Sequence, residues 1–526
     1  MGSPEFVSVV SKKKGREARE ILAAQGANEL VFGVVGHVGS GTSEIAVRLK
    51  EILQNNQLPG GPYDTEIIKA SDAIKEWAKK LDQPSTTKPK TLEEVSVLQD
   101  LGDQMREVDH SAVARALIKR IRLTRAVKQG LSQVQDGPIK PDGKKRAYIL
   151  ESIRHPAEVH LLRNVYGASF ALIGVVCHES KRLTRIGKKY DDAGEKHAQE
   201  FMNRDAKAPV PHGQRVSDAF HLSDFFIDNS AERLTDSQSN PEWTVAENLS
   251  RLVKLISHSE IVRPTTSETA MFEAHGAGLR SACLSRQVGA CLVDGKGNIV
   301  ATGTNEVPVA GGGLYGEIYE DHAPDGRCAY YQTPHCRNTA EQNKIIDEIV
   351  EDLVSGVSQL GTYPKPELGI RLRNSRIGGL LEFSRAVHAE MDALLTAARK
   401  GVSSVGTRMW VTAFPCHYCA RHIVCAGVDE VQFIEPYPKS KALDLHPDSI
   451  TLEPQGWLPP SGKGKKVLFH PFTGVAPNLY RRAFQKDREL KNSRTGEMVI
   501  GEADWGSPWH LKRISYVEIE AELAKN

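Results

Sequence analysis

Apolar residues alternate along the chain between short continuous runs and stripes at helical spacing, and this alternation sets the expected elements. Residues 30–35 form an apolar run, followed by the glycine-rich stretch 36–43 and a helical pattern over 45–53. The order is strand, turn, helix. Further apolar runs at 147–150 and 169–176 enclose a helical stretch at 158–165, the alternation of a parallel sheet with crossover helices. Polar stretches at 83–91, 133–145 and 236–242 read as loops, the last approaching a domain boundary. A helix over 247–256 bridges to the second half.

That half carries its own α/β pattern: a helix over 268–285, a strand at 289–293, a glycine-containing turn at 294–298 that suits a hairpin, and a strand at 299–302. The segment 310–337 is irregular, glycine-rich and supplied with His and Cys. It exceeds the ~12–15 residues that a structureless loop usually reaches, so a functional or metal-stapled loop is expected. A helix over 384–400, a strand at 408–412, a helix over 416–426 and a strand at 430–434 complete the pattern. There is no internal repeat or low-complexity tract.

With 526 residues, the chain exceeds what a single core fills, since cores stop growing near ~250–300 residues. The expected division is a first domain over 28–235, a linker over 236–264, a second domain over 265–485 and a C-terminal extension over 486–526. Residues 1–27 are set aside as tag and N-terminal extension, because Met1-Gly2-Ser3-Pro4-Glu5-Phe6 reads as a cloning remnant. The 40% hydrophobic and 25% charged fractions suit a soluble globular chain. No run approaches the ~20 apolar residues of a membrane span. Eight cysteines without a secretory leader argue for reduced thiols or metal ligation over disulfides, and the expected location is cytoplasmic. A net charge of +2 and 6% aromatic residues disfavour a basic groove with interleaved aromatics for nucleic acid.

The chemistry concentrates in His388-Ala389-Glu390 and, further along, Pro415-Cys416-His417-Tyr418-Cys419. This is the H-x-E and P-C-x-x-C signature of zinc deaminases. One imidazole and two thiolates give three protein ligands and leave a tetrahedral position open for water, which is the catalytic rather than the structural arrangement. Zn²⁺ lowers the pKa of water from ~15.7 towards ~7, making hydroxide available for attack on C4 of cytosine. Glu390, two residues beyond the ligand, is the expected proton carrier. The neighbouring His417, His422 and Cys425 read as packing or surface residues.

The stretch Gly36, Gly39, Gly41, Thr42 and Ser43 has the glycine spacing of a phosphate-cradling loop. Thr42 stands where lysine usually sits, and its loss should weaken phosphoryl transfer more than binding. A nucleotide sensor is expected rather than a kinase. Arg154, Arg182 and Arg185 are the arginines that could approach a phosphate.

These motifs resemble the deoxycytidylate deaminase family, and the whole chain is similar to bacterial antiphage dCTP and dCMP deaminases with an N-terminal P-loop kinase-like domain. The resemblance covers roughly 28–235 and 265–485. It implies a P-loop nucleotide-kinase-like parallel sheet domain followed by a cytidine-deaminase-like α/β/α sandwich. The implied activity is deamination of free deoxycytidine nucleotides, with zinc as cofactor and a regulatory nucleotide at the P-loop. The pool of dC nucleotides would be depleted in antiphage defence. A homo-oligomer and silencing by an inhibitory small RNA are also implied. Residues 285–291 look like the family's first strand and 301–305 like its second, so Asn305 would hydrogen-bond the deoxyribose or pyrimidine. Tyr437 would contact the substrate, and Ala389 is counted with them. Some family members hold a second, structural zinc, for which His322, Cys328, His335 and Cys336 are the candidates. Three alternatives remain: an RNA or single-stranded DNA deaminase, a catalytically silent nucleotide-binding scaffold, and a true kinase fused to a deaminase.

Overall fold

The computed structural model describes residues 27–83, 90–131, 137–208, 210–235, 237–316, 325–357, 363–380, 382–437, 439–486, 490–500 and 516–524. Two units are distinct: Met1–Ser223, Ile227–Val262 and Lys486–Asn526 in one, Asp224–Phe226 and Arg263–Gln485 in the other. The helix Val245–Ser257, expected as part of a linker, and the C-terminal segment expected as an extension both fall in the first unit.

In the first unit, β1 (Glu29–Val35) runs into a turn and then α1 (Thr42–Leu53). β2 (Asp64–Lys69), α2 (Ala70–Lys80), α3 (Leu92–Val108) and α4 (Ala112–Lys128) follow. Then come β3 (Arg146–Ile153), α5 (Pro156–Tyr166), β4 (Phe170–Val176), α6 (Glu179–Lys189) and α7 (Glu195–Ala206). The body of the sheet is parallel, in the order β2-β3-β1-β4. Every residue of β1 and β4 is buried, which is why both read as unbroken apolar runs: helices cover both faces of a parallel sheet. By contrast β2 buries only Thr65 and Ile68, and its sequence shows no strand signal.

The C-terminal helix Tyr516–Leu523 closes this unit through an ionic cluster. Arg125, fully buried on α4, donates to Glu29 at 2.7 Å and to Glu520 at 2.6 Å, and the hydroxyl of Tyr516 donates to Glu29 at 2.9 Å. Both buried carboxylates share Arg125, and Glu29 has Arg146 at 4.0 Å as its second partner, so Arg125→Ala leaves Glu520 without its ion pair and Glu29 with only the longer one. We expect the unfolding free energy of this unit to fall by about 3–5 kcal/mol. A denaturant titration showing a loss under about 1 kcal/mol would remove the cluster from the list of stabilising features.

In the second unit, α8 (Thr266–Gly278) opens with a capping box between Thr265 and Glu268. β5 (Gly289–Val293) and β6 (Ile299–Thr304) form the expected hairpin. They are followed by α9 (Arg337–Gly356), α10 (Lys365–Asn374), α11 (Ala389–Arg399), β7 (Arg408–Ala413), α12 (His417–Cys425) and β8 (Glu430–Glu435). β9 (Ile450–Thr451) and β10 (Val467–Pro471) complete a mixed sheet in the order β9-β10-β8-β7-β5-β6. Strand β7 pairs antiparallel with β5 and parallel with β8. The core lies between this sheet and helices α11 and α12, around Met409, Val411, Val431, Ala393, Ala397 and Ile423. Among the described residues, no helix is long and apolar enough to cross a membrane.

Candidate metal and catalytic site

Parallel strands β7 and β8 require a crossover, and α12 supplies it, starting directly at the C-terminal end of β7. Cys416 is its N-cap residue and Cys419 sits in its first turn. His388 is the N-cap of α11, with extended backbone, and Glu390 lies in that helix's first turn. Two helix N-termini therefore carry all four residues, and their positive dipole ends favour thiolate and carboxylate.

Local contacts fix these starts. Glu306 and Val387 exchange backbone hydrogen bonds at 3.2 and 2.9 Å, holding the residue before His388. The amide of Thr304 donates to Asp392 Oδ2 at 3.0 Å, tying the end of β6 to α11. Ser440 Oγ donates to the Pro415 carbonyl at 2.7 Å, ahead of Cys416. Strand β6 reaches the helix only because residue 303 is glycine: a Cβ there would run into the Ala389 carbonyl and the Ala393 amide. Gly303→Ala must push α11 off the sheet, with a cost of about 1–3 kcal/mol from overpacking. We expect reduced metal retention in that variant, read by metal analysis after dialysis; wild-type retention would contradict the tight approach.

Nδ1 of His388 lies 3.3 Å from the Cys416 sulfur and 3.4 Å from the Cys419 sulfur. The three donor atoms all fall within 4.8 Å of one another, and among the described residues they form the one group of three or more His, Cys, Asp and Glu suited to a metal ion. Zinc bond lengths of about 2.0–2.1 Å to nitrogen and 2.3 Å to sulfur place such donors roughly 3.5 Å apart in a tetrahedron. The donor set therefore fits Zn²⁺. Cys416, Cys419 and Glu390 are all buried.

Without the ion's charge, the site shares its protons tightly. Hydrogen bonding from Cys419, then from His388, lowers the Cys416 thiol to about 4. The same contact with Cys416 raises His388 to about 9. Cys419, acting as donor to Cys416, is pushed well above the thiol range, and burial raises the Glu390 carboxyl. An imidazole and two thiols that share protons this closely, beside a buried carboxyl, form a donor set whose ligands give up protons when a metal enters.

Asn305 is buried beside this site and uses its amide on the backbone: Oδ1 accepts from Val288 N at 2.7 Å and Nδ2 donates to the Arg286 carbonyl at 2.8 Å. Its structural task is to pin 286–288 to the end of β6, with one N–H and one lone pair left. Tyr437 packs against the core of this unit, and the Arg286 guanidinium lies 5.6 Å from its ring centre while bonding Glu435 at 2.8 Å. Ala389 is fully buried. His422 Nδ1 bonds the Tyr418 carbonyl at 2.6 Å, and the His417 ring lies tilted against Tyr418 at 4.7 Å. Glu306, Asp392 and Gly303 escaped the sequence reading; only Gly303 carried a signal, as a glycine inside a strand.

The suggested second metal set is not gathered among the described residues. Cys336 contacts Ser285 Oγ at 3.6 Å, His335 Nδ1 contacts the Thr333 carbonyl at 2.8 Å, Cys328 begins a short 3-10 turn, and His322 lies outside the described residues.

In the first unit, the turn after β1 has Gly39 and Gly41 at φ 82° and 89°, the left-handed region that favours glycine. The turn leads into α1, which begins at Thr42, and Gly36 closes against Ser40 and Thr42. A cavity of about 430 Å³ opens on this turn, lined by Gly39, Gly41, Thr42, Ser43, Arg154 and Arg185 among others. Arg154 is paired with Asp205, whose other oxygen accepts from Val38 N at 2.7 Å, and Ser43 Oγ donates to Glu151. Arg182 packs its backbone against Gly39.

Residues 264–435 match the family described as the cytidine and deoxycytidylate deaminase zinc-binding region. The matched span holds His388, Glu390, Cys416 and Cys419, and supports a hydrolytic deaminase of nucleotides with Zn²⁺ as its metal. The deoxycytidylate deaminase of Enterobacteria phage T4 is 27% identical over 177 residues, which are 33% of this chain and 80% of that protein. That of Enterobacteria phage T2 is 28% identical over 182 residues, 33% and 82% of the two chains. A crystal structure of dCMP deaminase from the cyanophage S-TIM5 with dCMP and dUMP aligns at 19% identity and a TM-score of 0.22, over 40% of this chain and 98% of that one.

Proposed function

We propose that the second unit removes the amino group of free deoxycytidine nucleotides, dCMP and dCTP, giving the deoxyuridine nucleotides and ammonia. The observation that carries this reading is the convergence of His388, Cys416 and Cys419 with the buried Glu390 at two helix starts. His388 Nδ1 and the two sulfurs would hold Zn²⁺, which when bound supplies a Lewis acid that makes water acidic near neutral pH. Glu390 takes one proton from the attacking water and gives it to N3 of the cytosine, then takes the proton of the new C4 hydroxyl and gives it to the amine, so that the C4–N bond breaks, ammonia leaves and the C4 carbonyl forms. Burial favours the protonated carboxyl, so the group is suited to the acid half of this cycle. Asn305, Ala389 and Tyr437 border the substrate, with Asn305 offering its remaining N–H and lone pair.

The first unit is proposed as a P-loop kinase-like domain that binds a regulatory nucleotide at Gly36, Gly39, Gly41, Thr42 and Ser43. Support comes from the left-handed glycines at the start of α1 and from the cavity opening on them. With threonine at position 42, binding without phosphoryl transfer is the reading. Action as a cytoplasmic homo-oligomer, depletion of the dC nucleotide pool in antiphage defence and silencing by a small RNA complete the proposal.

The zinc-loaded full-length protein, incubated with dCMP, dCTP, CTP and cytidine, should convert dCMP or dCTP to its uracil product, detected by chromatography. Conversion of cytosines in single-stranded DNA or RNA, with none in free nucleotides, would contradict the proposal.

A further inference from the structure

Among the described residues that line the cavity of the first unit, one buried side-chain acceptor has no partner. Gln99, on α3, is 6% exposed and lines the cavity. Its Nε2 donates to Gln214 Oε1 at 3.2 Å, while its own Oε1 is buried and unbonded. A buried acceptor without a donor costs about 1–3 kcal/mol, a cost relieved when a ligand supplies the hydrogen. Apolar side chains line the same cavity, among them Ile74, Val95, Leu98 and Phe201. The phosphate-type turn and α1 border it too, so one cavity joins an anion-binding surface to an apolar slot containing a lone acceptor.

We infer that this cavity is an adenine-nucleotide site, with the backbone N–H groups of Gly39, Gly41, Thr42 and Ser43 holding the phosphates and Gln99 Oε1 accepting from the exocyclic amine of the base. The inference rests on the regulatory-nucleotide reading and names its ligand. A volume of about 430 Å³ lies in the ~300–1,000 Å³ range of small-molecule sites. The arginines that line it are already ion-paired, Arg106 with Glu158 and Asp103, Arg154 with Asp205 and Arg185 with Glu232, so the phosphates are left to the backbone of the turn. An amino group beside a ring nitrogen suits an isolated acceptor. A base that presents a carbonyl at that place sets oxygen against oxygen. The apolar walls favour the larger purine ring.

Isothermal titration of the full-length, zinc-loaded protein with ATP, inosine triphosphate and inorganic tripolyphosphate tests this. The two nucleotides differ in replacement of the adenine amine by a carbonyl. ATP should bind about tenfold or more tighter than inosine triphosphate. In Gln99→Leu that preference should vanish while tripolyphosphate binding persists. Equal affinity for the two nucleotides in the wild type would overturn the base assignment alone, as would a preference unchanged by Gln99→Leu, and both would leave the phosphate cradle standing. Absence of binding by all three ligands would overturn the cradle and, with it, this inference. The wild-type comparison decides even if the variant fails to fold.

Discussion

Glu390→Gln should retain its zinc and lose deamination, with turnover falling by about 10²–10⁴-fold or more. Glutamine preserves the size and the hydrogen-bonding shape of the side chain, so the helix start and the three ligands stay in place. What it cannot do is carry a proton between water and the base. The residue is buried within the first turn of α11, two positions past His388, and burial has already raised its carboxyl. Metal analysis beside single-turnover kinetics separates this result from simple damage: full zinc with wild-type turnover would refute the proton-carrying role, whereas lost zinc would move Glu390 into the structural support of the site.

Cys416→Ala should lose metal and activity together. Cys416 is the sulfur to which both His388 and Cys419 bond, so its removal takes away a ligand and the anion around which the other two are arranged. Two remaining ligands do not retain a catalytic zinc, and because metal binding is linked to folding the second unit should also melt earlier. Zinc analysis after gel filtration, with thermal unfolding in parallel, provides the check. A variant that keeps one zinc per chain would remove Cys416 from the ligand set.

The parts of the molecule legible in the sequence are those whose signal is local. His388, Glu390, Cys416 and Cys419 could be grouped from spacing because each pair sits on a single helix start, and the structure brings the two starts together. The helices begin later than the apolar pattern implies: α11 starts at Ala389 rather than near 384, which makes His388 an extended N-cap. The expected helix over 268–285 stops at Gly278, where Gly276 and Gly278 weaken helical preference and a side chain at 278 would press on Gly289. Segment 310–337, read as one long loop, ends where α9 begins, and α9 itself escaped notice because it buries only Gln342, Ile346 and Val350 over twenty residues. A stripe that sparse gives almost no periodic signal.

Longer-range arrangements were not legible at all. Nothing near Arg125 in sequence announces that Glu29 and Glu520 close around it, and nothing near Asn305 announces that its amide is committed to the backbone of 286 and 288. Arg154 illustrates the same limit: the sequence offers it to a phosphate, while the fold gives it Asp205. Charged groups find partners through tertiary packing, and one-dimensional spacing carries no record of that.

X-ray absorption at the zinc edge of the purified, full-length protein bears most directly on the central claim. Two sulfur and two lighter nitrogen or oxygen neighbours are predicted, one lighter neighbour being His388 and the other exchangeable. Three or four sulfurs around the metal, or no zinc in a folded and reduced sample, would contradict the account.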